Sequence, residues 1–226
     1  MAYYPVLLDL AGKRVLVVGG GGVAERKVET FLGFGARVDL VSHELSPRLG
    51  ELEERGTILR RGRDFNAEHL DGVFLVVAAT DDTEENRRIS REARSRGILV
   101  NAVDQPADCT FIVPAVVNRG DLVIAVSTSG KSPALAGRIR ADLEKHFGPE
   151  YGVFLELMGR VRQRVLERGR TQGENREVFM RILDSPLLEA VGNRDWEAAA
   201  AVLSEILETR WSASEVREAV HGAAAD

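Results

Sequence analysis

The sequence has almost no cysteine: Cys109 stands alone among 226 residues. One thiol excludes an intramolecular disulfide and any cluster of thiolate ligands, and it suits a reducing compartment. His/Cys spacing of the zinc-site kind is missing as well, so no metal ligands are assigned. No basic segment precedes the first apolar stretch, and Asp9 interrupts it, which argues against a secretory signal. No apolar run is long enough to span a bilayer, and the longest read as buried strands. Charge of one sign is not in large excess either. A net charge of -5 gives no general reason to expect nucleic acid or an anionic membrane as partner. What is present is 44% hydrophobic residues, enough for a sizeable core in one large domain or two small ones. A cytoplasmic location is expected.

The apolar residues recur in a readable order. Residues 13–18 form a β-branched run that suits a strand covered on both faces. Gly19 to Gly22 ends it, a helix follows with Ala24, Val28, Phe31 and Leu32 on one stripe, and residues 36–41 supply a second strand. Further strands are expected at 57–60, 73–79 and 98–103, with helices at 45–55 and 84–96. This alternation predicts a doubly wound α/β sheet over residues 1–112. Composition then changes. Residues 111–117 and 121–127 read as two strands joined by the turn Asn118-Arg119-Gly120, and Ser132-Pro133 starts a helix running to 147. From 148 to 226 the pattern is helical throughout, with segments at 153–168, 176–183, 186–191, 195–207 and 212–220 and a frayed end at 222–226. The expected architecture is therefore a Rossmann-type parallel sheet (1–112), a small β-plus-helix segment (113–147) and an all-helical C-terminal domain (148–226).

The glycine turn carries the strongest chemical signal. Gly19-x-Gly21-x-x-Ala24 lies between a strand and a helix, where the dinucleotide fingerprint has physical meaning. Gly19 permits the tight turn, Gly21 lets backbone approach a pyrophosphate, and Ala24 keeps the helix close to the sheet. Gly22 and Val23 open the helix whose N-terminus would face the phosphates. At the second strand Asp39 falls on the wrong alternation for a ribose contact. Ser42 takes that position instead, with His43 at the cofactor rim, and no Lys or Arg follows immediately to hold a 2′-phosphate, so NAD is the expected cofactor. Thr80 follows the fourth strand and can donate to the cofactor. Asp81 and Asp82 either face substrate or cap the next helix. Asp104 ends the fifth strand, where a buried or half-buried carboxylate could take a proton as hydride leaves a substrate. Ser127, Thr128, Ser129 and Lys131 could hold substrate carboxylates, or form a Ser-rich turn ahead of a capped helix. This loop does not match a P-loop.

In order, the motifs are Pro5-Val6-Leu7-Leu8-Asp9-Leu10, Val17-Val18-Gly19-Gly20-Gly21-Gly22-Val23-Ala24-Glu25-Arg26-Lys27 and Ala78-Ala79-Thr80-Asp81-Asp82 with Asn86. Asn101-Ala102-Val103-Asp104-Gln105-Pro106, Phe111-Ile112-Val113-Pro114-Ala115 and Val126-Ser127-Thr128-Ser129-Gly130-Lys131-Ser132-Pro133-Ala134 complete the set. Together they resemble the precorrin-2 dehydrogenase family, also found as the N-terminal part of bifunctional or trifunctional siroheme synthases. The resemblance implies NAD-dependent oxidation of precorrin-2 to sirohydrochlorin, on the route to sirohaem. It implies a general base or proton-handling role for Asp104, substrate contacts near Asp81, Asn101 and the 127–131 loop, and a homodimer formed through 113–147. The C-terminal helices would help to roof the tetrapyrrole cleft. Some members also insert ferrous iron or cobalt, with the counterpart of Asp104 implicated; methylation is not expected of this chain.

Two other function classes fit parts of the pattern. A nucleotide-binding sensor or regulatory module explains the glycine turn but gives Asp104 and the 127–131 loop no joint role. A nucleic-acid-binding reading would rest on Arg160, Arg162, Arg164, Arg168 and Arg170. These are interspersed with Val161, Val165 and Leu166 in an acidic chain, so a solvated helix face or contacts to an acidic tetrapyrrole fit better.

Overall fold

Apolar side chains on both faces of short strands demand cover on both sides, and the chain supplies it. In the computed structural model, which describes residues 3–221, the end expected to fray lies outside the described residues. Strands β1 (Arg14–Val18), β2 (Arg37–Val41), β3 (Leu59–Gly62), β4 (Leu75–Ala78) and β5 (Leu99–Ala102) form one five-stranded sheet in the order β3-β2-β1-β4-β5. Every pairing in it is parallel. Val15 and Val17 of β1 point into a core shared with helices α1 (Gly22–Gly33) and α2 (Pro47–Glu54). Leu16 and Val18 point the other way, into a core shared with α3 (Thr83–Ser95). The sheet is thus a Rossmann-like α/β layer structure. Its strand order reverses between β1 and β4, which opens a crevice at the carboxyl edge of the strands.

The chain divides into two compact units, Met1–Val113 and Pro114–Asp226. At the edge of the first, β3 carries Arg60 and Arg61 where inner strands carry aliphatics, as suits a strand paired on one side. Asp39, in the middle of β2, is buried at 4% exposure. Its Oδ2 accepts from Arg14 Nε at 2.5 Å and from Arg61 Nε at 2.9 Å. Those two bonds consume a carboxylate that would otherwise be costly to bury.

The second unit begins with an antiparallel hairpin, β6 (Ala115–Arg119) and β7 (Leu122–Val126). Two expectations are corrected here. Residues 111–114 lie outside the strand, and pairing starts only after Pro114, which has no N–H to give a ladder. The ladder also runs through Asn118 and Arg119, paired with Val123 and Leu122, so the turn falls at Gly120-Asp121 instead of Asn118-Arg119-Gly120. Among the described residues six helices follow: α4 (Pro133–His146), α5 (Glu150–Leu166), α6 (Gln172–Leu183), α7 (Leu187–Gly192), α8 (Trp196–Leu207) and α9 (Ala213–His221). Phe154, Leu157, Val161 and Val165 put an i, i+3, i+4 stripe of α5 into a core with Ile182, Leu187, Leu203 and Val216.

Candidate functional site

The glycine turn is set by close approach. Gly19 has φ +124, and a Cβ there would lie 2.2 Å from the Ala79 carbonyl oxygen; one at Gly20 would lie 1.9 Å from the Glu44 oxygen. The loops after β1, β2 and β4 therefore touch backbone to backbone, which no side chain would allow. Around Gly21 and Gly22 a Cβ meets nothing within 4 Å. Helix α1 starts at this open spot, and no side chain caps it. Its first N–H groups and the positive end of its dipole are left for an anion. Ala24 is fully buried beneath the turn, in the helix-to-sheet packing role expected of it.

This turn forms part of a cleft of about 1120 Å³ built wholly from the first unit. That volume is at the upper end for cofactor sites, which run to about 1,000 Å³. Gly19, Gly21, Gly22, Val23, Ser42, His43, Thr80, Asp81 and Asp104 all line it, so the strand-end positions read from sequence meet in one place. Ala24 and Asn101 do not. The Asn101 amide donates to the Phe111 carbonyl at 3.1 Å, fastening the segment after β5 to the sheet.

Each wall has its own cause. At the end of β2 the Ser42 hydroxyl donates to the Glu44 carbonyl at 2.6 Å, folding the loop back on itself. His43 Nε2 stands 2.8 Å from Asp64 Oδ1, both groups largely exposed. After β4, Asp82 accepts from the N–H groups of Glu84 and Glu85, so the helix-capping alternative holds for Asp82. The Thr80 hydroxyl donates to Asn86 Oδ1 at 2.7 Å, while the Asn86 amide donates to the Thr80 carbonyl at 2.9 Å. Asn86 is 2% exposed and clamps the loop that presses on Gly19.

Asp104 follows β5 with φ +59 and lines the cleft. It is exposed rather than buried or half-buried. No described residue hydrogen-bonds or ion-pairs with its carboxylate. A left-handed Asp costs of order 1 kcal/mol, and such strain tends to collect at working positions. Beside it Gln105 Oε1 is buried without a partner, an unsatisfied acceptor on the cleft wall. Below, burial pushes the Cys109 thiol up, which makes it a packing residue rather than a nucleophile. The open cradle, the uncapped helix and this orphaned acceptor fit an elongated ligand that is anionic in the middle, as a dinucleotide is.

Ser127, Thr128, Ser129 and Lys131 belong to the second unit. There Ser127 Oγ accepts from Ser129 N–H, Thr128 Oγ1 accepts from Ser132 N–H, and Ser132 caps α4. Lys131 is exposed. Of the arginines on and after α5, Arg162 stacks on Phe179, Arg164 stacks on Trp211, and Arg168 donates to Leu207 and Thr209. Sequence reasoning passed over Arg63, Asn86 as a clamp, and Gln105. Arg63 reaches the cleft through the β2–β3 register, and Asn86 and Gln105 were visible as polar residues inside the quoted motifs.

Residues 6–115 match a family model described as putative NAD(P)-binding. Residues 119–146 match the sirohaem biosynthesis protein central model, and residues 150–207 the sirohaem synthase dimerisation region. Siroheme synthase 1 of Serratia proteamaculans is 41% identical over 92% of this chain and 44% of its own length. Siroheme synthase of Actinobacillus succinogenes is 40% identical over 88% of this chain and 42% of its own. The chain thus spans under half the length of these curated relatives. Among solved structures, SirC, a precorrin-2 dehydrogenase, superposes with a TM-score of 0.72 at 29% identity, covering 91% of this chain and 98% of that one.

Proposed function

The chain belongs to the family that joins precorrin-2 dehydrogenases with the N-terminal part of siroheme synthases, and from that premise we propose that it oxidises precorrin-2 to sirohydrochlorin with NAD. One observation carries the reading: loops after β1, β2, β4 and β5 converge on one cleft, with an open glycine cradle and the unpartnered carboxylate of Asp104. NAD, when bound, supplies the hydride acceptor. Gly21, Gly22 and Val23 hold its pyrophosphate with backbone N–H groups, Gly19 and Ala24 keep the turn tight, and Ser42 and His43 lie at the adenosine ribose. Thr80, fixed by Asn86, lines the wall after β4.

Loss of hydride from a reduced tetrapyrrole must be matched by loss of a proton. Asp104 is the base in this reading, since it lines the cleft and its carboxylate has no partner among the described residues. Asp81, another carboxylate lining the cleft, orients substrate. Ser127, Thr128, Ser129 and Lys131 are proposed to take substrate carboxylates. Asn101 is better assigned to holding residue 111 than to substrate. We assign residues 1–112 to NAD binding, 113–147 to dimerisation and 148–226 to a helical domain. The helices matched by the dimerisation-region model extend the candidate interface beyond 147. A cytoplasmic location goes with this reading, supported by a lone cysteine that is buried and by the absence, among the described residues, of a helix long and apolar enough to cross a membrane.

Purified protein incubated with precorrin-2 and NAD should produce NADH absorbance and sirohydrochlorin in step. NAD binding without turnover on authentic substrate would overturn the enzyme reading and favour a nucleotide sensor. The same assay, with ferrous iron or cobalt supplied as substrate, reads a second, metal-inserting activity. Sedimentation should give a mass near twice 24.8 kDa; a concentration-independent monomer rejects the dimer.

A further inference from the structure

We infer that the adenosine end of the cleft accepts a 2′-phosphate, so that NADP binds alongside NAD, and that Arg63 is the cation holding it. The inference rests on the dinucleotide reading above and adds to it a residue that decides cofactor choice. NAD-selective Rossmann sites end β2 on a carboxylate, which bonds the ribose hydroxyl and repels a 2′-phosphate. Here β2 ends on Val41, and the hydroxyl of the next residue, Ser42, is already turned onto Glu44. The acidic side chain within β2, Asp39, is buried between Arg14 and Arg61. Neither the bond nor the repulsion is supplied from the strand.

Positive charge gathers at the same place. Val41 pairs with Gly62, and Ser42 N–H donates to the Gly62 carbonyl at 3.1 Å, so the next residue, Arg63, emerges beside Ser42. Both line the cleft. Arg60 is spent on the Ser42 and His43 carbonyls, and Arg61 on Asp39. Arg63 has no partner among the described residues. A guanidinium left free at a cleft rim suits a phosphate, which takes its fork of donors at two oxygens. Two carboxylates lie nearby. Asp64 is engaged by His43, and Glu44, exposed on the rim, is the rival that would read a 2′-hydroxyl instead.

Calorimetric titration of the purified protein with NAD, NADP, adenosine 2′,5′-bisphosphate and 5′-AMP tests this without turnover. NADP should bind within about tenfold of NAD, and the bisphosphate should bind more tightly than AMP. Arg63→Ala should lower the NADP-to-NAD affinity ratio by about 10- to 100-fold, the usual worth of a hydrogen bond to a charged group. Ser42→Asp should lower the same ratio by repulsion, which keeps the test open if the arginine variant does not fold. NADP weaker than NAD by more than about tenfold, or a ratio unmoved in the folded variants, overturns the inference and leaves NAD binding intact. Failure of all four ligands to bind would sink the dinucleotide reading itself.

Discussion

The two units differ in where they leave helix ends and polar groups open. In the second, four of the six described helices are closed by their own side chains: Ser132 caps α4, Thr171 and Glu174 form a capping box on α6, Asp195 caps α8, and Ser212 with Glu215 closes α9, while α5 and α7 start at Pro149 and Pro186 without a side-chain cap. Arg162 and Arg164 stack on aromatics, and Arg168 bonds to a carbonyl. In the first unit α2 and α3 are capped in the same manner, by Ser46 and Asp82, whereas α1 starts bare at a glycine. Asp104, Arg63 and Gln105 Oε1 also have no partner among the described residues, and all three residues line the cleft. Unspent hydrogen-bonding capacity costs stability wherever it is partly buried. In the second unit Asn175 Oδ1 and Trp211 Nε1 are buried without partners too, but neither residue lines the cleft; what marks the sheet edge is that several such residues meet on one cavity, where a ligand can complete the structure.

The strongest way to break that contrast is to remove the unspent carboxylate. Asp104→Asn should lower turnover by about 10²–10⁴, the range for loss of a general base, with NAD affinity little changed. Asparagine also suits the observed φ of +59, so the variant should fold. Near-normal turnover would remove Asp104 from the mechanism, and a selective loss of NAD binding would make it a cofactor contact. His43→Ala should be milder, since His43 lies toward the adenosine end and is half spent on Asp64.

A smaller effect separates structural from ligand-facing glycine within one turn. Gly19→Ala places a methyl 2.2 Å from a backbone oxygen at φ +124, and should destabilise the first unit by about 1–3 kcal/mol as well as weaken NAD binding. Gly21→Ala meets nothing within 4 Å, so its melting temperature should stay near wild type while NAD affinity falls. Melting curves with and without NAD distinguish the two. Equal destabilisation by both substitutions would mean that Gly21 is as much a packing residue as Gly19, and that the open cradle is not a site.

How far the sequence reveals this depends on range. The strand–glycine–helix–strand unit was legible because the stripe of Ala24, Val28 and Phe31, the glycine run and the β-branched strands are local signals, and all three helix residues are buried. Burial of Ala102 and Val100 shows why Asn101 points elsewhere: alternation along β5 sends it away from those neighbours, a signal that was present but not applied. Arg63 required knowing that β3 lies against β2 with Gly62 opposite Val41, a pairing that no local pattern specifies. The left-handed conformation at Asp104 is likewise hidden, because a left-handed Asp is a tertiary compromise that residue preference does not predict. The Asn118-Arg119-Gly120 turn signal is overridden by the ladder, which extends the strands through Arg119.

The mildest expected effect lies in the second unit and sharpens the contrast from its side. Glu215 is held down to about 2, first by the hydrogen bond from Arg164 and then by the backbone and hydroxyl of Ser212. Arg164 in turn lies over the Trp211 ring at 3.9 Å, so one carboxylate ties α9 to α5 through a stacked guanidinium. The folded value is below the ordinary one of 4.5, so the contribution is fully present above that ordinary value. It is lost as pH falls through about 2, the folded value. Glu174 on α6 is lowered in the same direction by Thr171, with no arginine bonded to it, and should fade in the same sense. Both carboxylates are exposed, so solvent screens them and the effect should be small. Melting temperatures of wild type and Glu215→Gln, compared from neutral pH downward, should differ at neutrality and converge as acid protonates the wild-type side chain. High salt should narrow the neutral difference. A gap that stays constant with pH would mean that Glu215 acts through shape alone, and that the second unit spends its charges less completely than its hydrogen bonds indicate.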